Sequence, residues 1–305
     1  MASNAYITDG KMMEFHRING NQTMNFWRLS GTKQFTHFYP GDYLFFLAKG
    51  SEKKDTKEKG IIGYGKFNSS KSMSLTQMWN QFETLNGFST KEEFKEAVKK
   101  ISKTKQIPKT MHSLFLTDIL FFSSPVYLSE LDIIISTNLE SYIYLNKQGV
   151  EATVKILKKA QQIGIDMWQA ALDASINQEI FKTDVIVHTI AKKVNEIINY
   201  NKTESKILKK FMQNNQKDWD YIKGSRQALY NIKSKQLYLP LELKSKDKEA
   251  EFFEVIGKLL IIMSLLNDEP ECKALTLELG LLVDKQLDEQ KQSICKQVGI
   301  SWIQL

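Results

Sequence analysis

The sequence predicts an α+β protein of two domains, in which a β-rich first half is followed by a mostly α-helical second half. The chain has 305 residues, more than one typical domain of roughly 100 to 200 residues. Short segments rich in aromatic and β-branched residues, the composition of strands, occur from Met12 to about Lys147. After Gly149, apolar residues recur at helical spacing. We therefore expect domains at residues 1–148 and 149–305.

The first half contains short strand-like segments separated by turn residues such as Pro40-Gly41-Asp42. The segments cover residues 25–29, 43–47, 61–67, 113–116, 119–122 and 141–145. Two segments between them, Leu75–Phe82 and Thr90–Lys103, have helical spacing instead, and Ser89 or Thr90 can cap the second. We predict a small barrel or strongly curved sheet with helical insertions. The charged segment 51–59 is predicted to be a solvated hairpin loop without chemistry.

The second half has the spacing of amphipathic helices, with Lys and Glu between the apolar positions. We predict helices at residues 150–174, 176–200, 204–212, 252–267 and 274–298. The segment 238–251 is predicted to be a long connection. The apolar part of the fourth helix is expected to lie in the core or to form an oligomer interface.

The charge of the chain favours an anionic partner. The net charge is +7, and residues 1–150 carry 19 Lys and Arg against 14 Asp and Glu, while residues 151–305 carry 23 against 21. A moderate positive field of this kind attracts polyanions such as nucleic acid, although many basic proteins have no such partner. The two cysteines, Cys272 and Cys295, lack the spacing of a zinc site or a disulfide framework.

Targeting signals are not evident in the sequence. The first residues lack the basic and apolar stretches of a signal peptide. The longest apolar run, Val255–Leu266, is shorter than the ~20 residues of a membrane span. We expect a cytoplasmic protein that has no membrane partner.

Catalytic motifs are also not evident. The four histidines, His16, His37, His112 and His188, have no metal-binding spacing. A common type of metal-dependent nuclease needs an Asp and then an acidic-x-Lys pair at the edge of a sheet, so that carboxylates hold Mg²⁺. The nearest candidate, Asp132 with Glu140, lacks the Lys. We expect no cofactor, with Mg²⁺ only if the protein is a nuclease, and we favour a protein that is not an enzyme.

Four ordered motifs in the first half resemble the PUA-like superfamily, in particular EVE-type domains. They are an aromatic strand with Trp27-Arg28, a Pro-Gly-Asp turn into a second aromatic strand, the Gly-rich strand 60–67, and a helix with Trp79, Phe82 and Asn86-Gly87. The resemblance covers residues 12–147 and is closest to the N-terminal domain of bacterial HNH-type restriction endonucleases. The HNH nuclease module itself is not visible after residue 150. The helical half resembles no domain that we can name.

The resemblance implies that one base, often a modified one, is held in an aromatic pocket. Such recognition takes the base out of its stack and recovers the cost by stacking on aromatic rings. The implied pocket residues are Trp27, Phe35, Tyr64 and Trp79 as walls, Arg28 as a donor, and Asn86 or Asp118 for a Watson–Crick edge. Lys33, Lys91, Lys95 and Lys99 are the candidates for backbone phosphates. Aromatic residues on short strands are also typical of a core.

Three hypotheses follow. In the first, the protein recognises a modified base, with DNA as the expected nucleic acid, in bacterial restriction or phage defence, and its effector is the helical half or a separate subunit. In the second, it is a modification-dependent endonuclease with a divergent catalytic domain in the helical half. In the third, it is an interaction protein whose first domain binds a small ligand or peptide and whose helices form a homo-oligomer.

Overall fold

A computed structural model describes residues 3–29, 38–135, 139, 141–145, 150–198, 205–242, 248–273 and 275–305. The chain forms two compact units, Met1–Lys182 and Thr183–Leu305. Phe35 and Lys33, two of the predicted binding residues, lie outside the described residues, as does His37.

The first unit is built on a mixed six-stranded sheet. Its strands are β1 (Ser3–Thr8), β2 (Met24–Leu29), β3 (Tyr43–Ala48), β4 (Ile61–Met73), β5 (Met111–Val126) and β6 (Tyr142–Tyr144). They are hydrogen-bonded in the order β2-β5-β4-β3-β1-β6. β1 and β3 are parallel, and the other pairs are antiparallel. The two segments predicted as separate strands at 113–116 and 119–122 are parts of the single strand β5.

The sheet is strongly curved. The rings of Tyr6 on β1 and Phe26 on β2 lie 5.0 Å apart, although three other strands separate these two in the hydrogen-bonding order. In a flat sheet, with strands about 4.8 Å apart, the same residues would be roughly 19 Å from each other. We call the face on which Tyr6, Phe26 and Phe46 meet the concave face. β2 and β6 remain edge strands in the described part of the chain, so the structure shows the predicted strongly curved sheet and not a closed barrel there.

Glycines in β4 allow this curvature. A Cβ atom on Gly63 would lie 2.2 Å from the carbonyl oxygen of Leu120, and one on Gly65 would lie 2.5 Å from Cδ1 of Ile119. The register between β4 and β5 shifts at three places around these glycines, and such bulges bend a strand. The Gly-rich segment therefore permits a close, bent pairing of the two long strands.

Helices connect and cover the strands of the first unit. They are α1 (Gly10–Ile18), α2 (Leu75–Phe82), α3 (Lys91–Ile101) and α4 (Val150–Ile163), and α5 (Met167–Ile197) continues into the second unit. The two predicted insertions are confirmed as α2 and α3. Each begins with a capping box, Ser74 with Gln77 and Thr90 with Glu93.

The second unit contains a five-stranded sheet beside its helices, so the predicted helical domain is confirmed only in part. Its elements are α6 (Lys206–Asn215), β7 (Asp220–Tyr221), β8 (Leu229–Asn231), β9 (Gln236–Leu241), α7 (Lys248–Asn267), α8 (Pro270–Lys273), β10 (Glu278–Val283), α9 (Glu289–Gln297) and β11 (Ser301–Gln304). The sheet order is β11-β10-β9-β8-β7, with β9, β10 and β11 parallel. The predicted connection contains most of β9, and the predicted last helix contains β10 and α9.

The strands of the second unit were not predicted for a physical reason. Strands that are buried on both faces are short continuous apolar runs, which periodicity cannot distinguish from part of a buried helix. Leu279–Val283 is such a run, and all of its residues are buried. Across the described ranges, no helix combines the length and the apolar composition needed to cross a membrane.

Candidate nucleic-acid interface

Trp27 and Asn86, two residues of the predicted pocket, lie together in the core behind the sheet. The indole nitrogen of Trp27 donates to the Asn86 carbonyl oxygen at 3.0 Å. The Asn86 side chain accepts from Asn25 at 2.8 Å and donates to the Glu83 carbonyl oxygen at 2.8 Å. Asn86 is fully buried and Trp27 is 9% exposed. The polar groups of this pair are therefore used inside the protein, where they fix the turn after α2.

Three further predicted residues are distributed over other sites. Tyr64 is fully buried, with ring neighbours Tyr43, Phe45 and Phe122. Trp79 is half-buried on α2, with its ring 6.2 Å from that of Phe94. Asp118 forms an ion pair with Lys66 at 3.1 Å and has a positive φ of 50°, which marks the bulge in β5.

Three of the four predicted phosphate contacts, Lys91, Lys95 and Lys99, lie on α3. Lys99 forms an ion pair with Glu96 at 2.7 Å. Lys91 and Lys95 border a shallow hollow that also includes Ser74 and Thr76 at the start of α2. Lys91 and Lys95 are thus the two predicted phosphate contacts that lie beside the N-terminus of a neighbouring helix, where backbone N–H groups and the helix dipole favour an anion.

Arg28 faces the opposite side of the sheet from Trp27, because successive side chains of a strand alternate between faces. It lies directly across from His112 on β5, and His112 lies across from Ser72 on β4. These three residues border a cavity of about 220 Å³ on the concave face. We call this cavity the Arg28 cleft, and its lining residues are Arg28, Phe38, Phe67, Ser70, Lys71, Ser72, His112 and Leu114.

The Arg28 cleft is polar and positively charged, with one aromatic wall. Phe38 and Phe67 form the wall, with ring centroids 4.6 Å apart. Ser72 Oγ and His112 Nδ1 are hydrogen-bonded at 3.0 Å. Burial lowers the pKa of His112 below its ordinary value, and the charge of Arg28 lowers it further. His112 is therefore neutral near pH 7, and Arg28 and Lys71 supply the positive charge.

A cluster of three tyrosines lies on the same face as Arg28. Tyr6 stacks on Tyr142 with centroids 6.0 Å apart, and the ring of Tyr142 meets that of Tyr144 edge-on at 5.3 Å. Burial raises the pKa of Tyr142, its hydrogen bond with Tyr144 raises it further, and the charge of Arg28 acts in the opposite direction. Arg28 thus acts electrostatically on both His112 and Tyr142, between the two edge strands of the open sheet.

This arrangement suits a small planar group that carries negative charge. Aromatic rings offer stacking surfaces, and a guanidinium group offers a rigid set of donors for phosphate or base oxygens. A cavity of about 220 Å³ is smaller than the roughly 300–1,000 Å³ of pockets for drug-sized ligands. The cleft therefore favours a single base or nucleotide over a larger molecule.

Sequence reasoning missed most of the residues around Arg28. Tyr6 lies in β1, which precedes the first predicted strand at residues 25–29. His112 is not part of any recognised sequence motif. Tyr142 and Tyr144 alternate in a segment that was predicted to be a strand, so their shared face could be predicted. Their position beside Arg28 depends on the curvature, which brings the two edge strands together.

A second cavity lies on the opposite face of β1 and β3. Its volume is about 350 Å³, and its apolar lining includes Ile7, Leu47 and Ile133–Ile135. The charged segment 51–59 forms one wall, where buried Glu58 accepts from the backbone and hydroxyl of Ser129. As predicted, this segment is a mostly exposed loop between β3 and β4, although Glu58 within it is buried. An apolar cavity of this size is the kind of site in which a small ligand binds, and a small ligand or a peptide is the partner in the third hypothesis.

The second unit contains an acidic-x-Lys pair that sequence reasoning also missed. Glu242 directly follows β9, the middle strand of the sheet, and Lys244 comes two residues later in the sequence, outside the described residues. Ser205, which caps α6, donates to Glu242 Oε1 at 2.7 Å. The missed signal was the short apolar run before Glu242, which would have placed the pair at the end of a strand.

No protein-family model matches the chain, and no curated protein matches it. Similar solved structures include ASCH from Zymomonas mobilis, with 10% sequence identity, a TM-score of 0.36, and coverage of 51% of this chain and 94% of that one. A point mutant of that protein has 12% identity, a TM-score of 0.35, and coverage of 51% and 96%.

Both structures are too distant from this chain, in sequence identity and in TM-score, to assign it to a superfamily. Neither structure is an EVE domain or part of an HNH endonuclease. At this identity and TM-score, the likeness does not extend to a shared site or activity.

Proposed function

We propose that the first unit binds nucleic acid and holds one base at the Arg28 cleft. The observation that carries the proposal is the gathering of Arg28, Lys71 and His112 with the aromatic wall on the concave face. In this account a base stacks on Phe38 or on the tyrosine cluster, and Arg28 donates to the base edge or to its phosphate. Lys91 and Lys95 contact phosphates farther along the strand.

We further propose that the recognised base is modified, that the nucleic acid is DNA, and that the setting is bacterial restriction or phage defence. These proposals rest on the resemblance of the first half to EVE-type domains. The corresponding experiment is a binding screen over unmodified, 5-methyl, 5-hydroxymethyl and N6-methyl oligonucleotides, single- and double-stranded, with RNA of the same sequence. Selective binding of one modified DNA supports them, and equal weak binding of all rejects base recognition.

Arg28→Ala is the variant that tests the cleft in this screen. Loss of a charged hydrogen bond weakens binding by roughly tenfold or more. Lys54→Ala is the matched control, because Lys54 is an exposed cation on the 51–59 segment, and its removal changes the net charge equally. Equal losses in the two variants would show that binding depends on net charge and not on the cleft.

A second candidate function is metal-dependent cleavage of nucleic acid by the second unit, and the position of Glu242 favours it. Mg²⁺ is commonly bound by one or two carboxylates, with substrate phosphates and water as the other ligands. Glu242 would be one such ligand at the end of the middle strand of the sheet, and substrate phosphates and water would be the others. Lys244 would assist the attacking water.

The test of the second candidate is cleavage of modified DNA by the purified protein in Mg²⁺ and in EDTA. Glu242→Gln should abolish cleavage while binding by the first unit is unchanged. Glu278→Gln is the matched control, because Glu278 begins the neighbouring strand β10 at the opposite end of the sheet. Cleavage that persists in Glu242→Gln would reject this candidate.

A further inference from the structure

Asn4 on β1 is a buried amide that the fold leaves without hydrogen bonds. It is fully buried, and within the described part of the chain neither its Nδ2 nor its Oδ1 atom has a hydrogen-bond partner. Buried polar groups are almost always paired, and an unpaired one is a cost to folding that requires a reason. A residue that pairs with a ligand is one such reason.

The position of Asn4 connects it to the tyrosine cluster. Asn4 and Tyr6 point to the same face of β1, because they are two residues apart in a strand. Asn4 lies directly across from Tyr144 on β6, as Tyr6 lies across from Tyr142. The amide therefore belongs to the concave face, beside the rings at which the proposed base would stack.

The other buried asparagines of this sheet region differ from Asn4. Asn25 donates to Asn86 at 2.8 Å and accepts from Ser113 at 2.5 Å. Both the side-chain oxygen and the side-chain nitrogen of Asn86 form hydrogen bonds. These two hold the fold together on the far side of the sheet, whereas the polar atoms of Asn4 make no such contribution.

We propose that Asn4 determines which base the first unit binds, by pairing its amide with the edge of adenine. An asparagine amide carries one acceptor and two donors side by side, which match the N6 amino group and the N7 atom of adenine. The inference rests on the proposed function of the first unit, and it adds the identity of the base. Because Asn4 is covered in the free protein, the base reaches it by displacing the ring of Tyr144.

The structure supports this route of entry. Tyr144 belongs to β6, which at three residues is the shortest of the strands described in the first unit. β6 is an edge strand that is paired only with β1 in the described residues. A short edge strand has few hydrogen bonds to lose, so its movement is the least costly way to open the concave face.

The test compares Asn4→Leu with wild type in two measurements. In thermal unfolding without ligand, the variant should be as stable as wild type or more stable, because an unpaired amide is removed. In binding to homo-oligonucleotides of each base, it should lose affinity for the adenine oligomer by roughly ten- to hundredfold. Its affinity for the other oligomers should change much less.

Asn25→Leu is the matched control, because it removes a buried asparagine whose amide nitrogen and oxygen both form hydrogen bonds. It should lower the unfolding midpoint and leave the base preference unchanged. If Asn4→Leu lowers the midpoint and keeps the base preference, Asn4 is a structural residue and the inference is overturned. If wild type binds no oligonucleotide, the proposed function itself fails, whatever the stability of the Asn4 variant.

Discussion

Arg28 is the residue on which the functional account depends most. Its neighbour Trp27 is nearly as conspicuous in the sequence, but alternation along β2 directs the two side chains to opposite faces. The helix α3 covers the Trp27 side through Phe94, whose ring lies 5.1 Å from that of Trp27. The Arg28 side faces the tyrosine cluster across the open edge. One strand thus supplies both a packing residue and a candidate binding residue.

Trp27→Ala should destabilise the first unit. The substitution leaves a cavity beside Phe88 and Phe94 and removes the donor to the Asn86 carbonyl oxygen. The expected loss is about 3–5 kcal/mol, measured by urea denaturation. Trp27→Phe keeps a ring and should lose less. If Trp27→Ala unfolds at the wild-type urea concentration but no longer binds oligonucleotides, Trp27 contacts the ligand after all.

His16 should make stability depend on pH. The side chain is fully buried on α1, and burial lowers its pKa from 6.5 to about 4. Between these two values the unfolded chain binds a proton that the folded protein does not. Stability is therefore full above pH 6.5 and decreases as the pH falls towards 4, by about 3 kcal/mol in total.

The measurement is urea denaturation from pH 7.5 to pH 4.5. His16→Gln should flatten the dependence, since the glutamine does not titrate. His112→Gln is the control, because burial also lowers the pKa of His112, which is only partly buried. If the free energy of unfolding still depends on pH in His16→Gln but no longer does so in His112→Gln, His112 and not His16 causes the pH dependence.

At the scale of elements, the paired strands β4 and β5 set the shape of the first unit. β4 has 13 residues and β5 has 16. The three register shifts between them bend the sheet, and this bend brings β2 close to β1. The concave face, and with it the Arg28 cleft, exists because of this bend. The glycines of β4 are therefore structural requirements of the site, although they lie outside the cleft.

Gly63→Ala should be strongly destabilising, because its Cβ atom would overlap the Leu120 carbonyl oxygen. The backbone of β5 cannot move away without breaking the pairing, so we expect a loss of more than about 2 kcal/mol. Gly257→Ala is the matched control, since no atom lies within 4 Å of its added Cβ atom. In the interior of α7, that change should stabilise by about 0.5–1 kcal/mol. Equal effects in thermal unfolding would contradict this explanation of the bend.

Sequence patterns predicted some elements well and others poorly. α2 and α3 were predictable because each has a capping box and a helical apolar face. β9 and β10 were not, because a buried strand between charged loops has no period to detect. The missed strand also hid a candidate metal ligand. Glu242 was overlooked because β9, the strand before it, was not predicted. Asn4 has no signal in the sequence, since only the fold shows that its amide is unpaired.

At the scale of the whole molecule, the net charge of +7 should make binding sensitive to salt. Each phosphate contact by Lys or Arg adds about 0.7–0.9 to the slope of log affinity against log salt concentration. The double variant Lys91→Ala and Lys95→Ala should therefore reduce the slope by about 1.5. The double variant Lys49→Ala and Lys54→Ala, exposed lysines with the same charge change, should leave it nearly unchanged. If the two double variants reduce the salt slope equally, α3 does not contact the phosphates.

We propose that nucleic acid contacts the concave face of the first unit at the Arg28 cleft. Zero-length ultraviolet cross-linking of the bound oligonucleotide, followed by mass spectrometry of the peptides, tests this claim most directly. The account predicts attachment to the aromatic residues beside Arg28, namely Phe38, Tyr142 or Tyr144, and loss of that attachment in Arg28→Ala. Attachment only to Trp79 on α2, or only to peptides of the second unit, would contradict it.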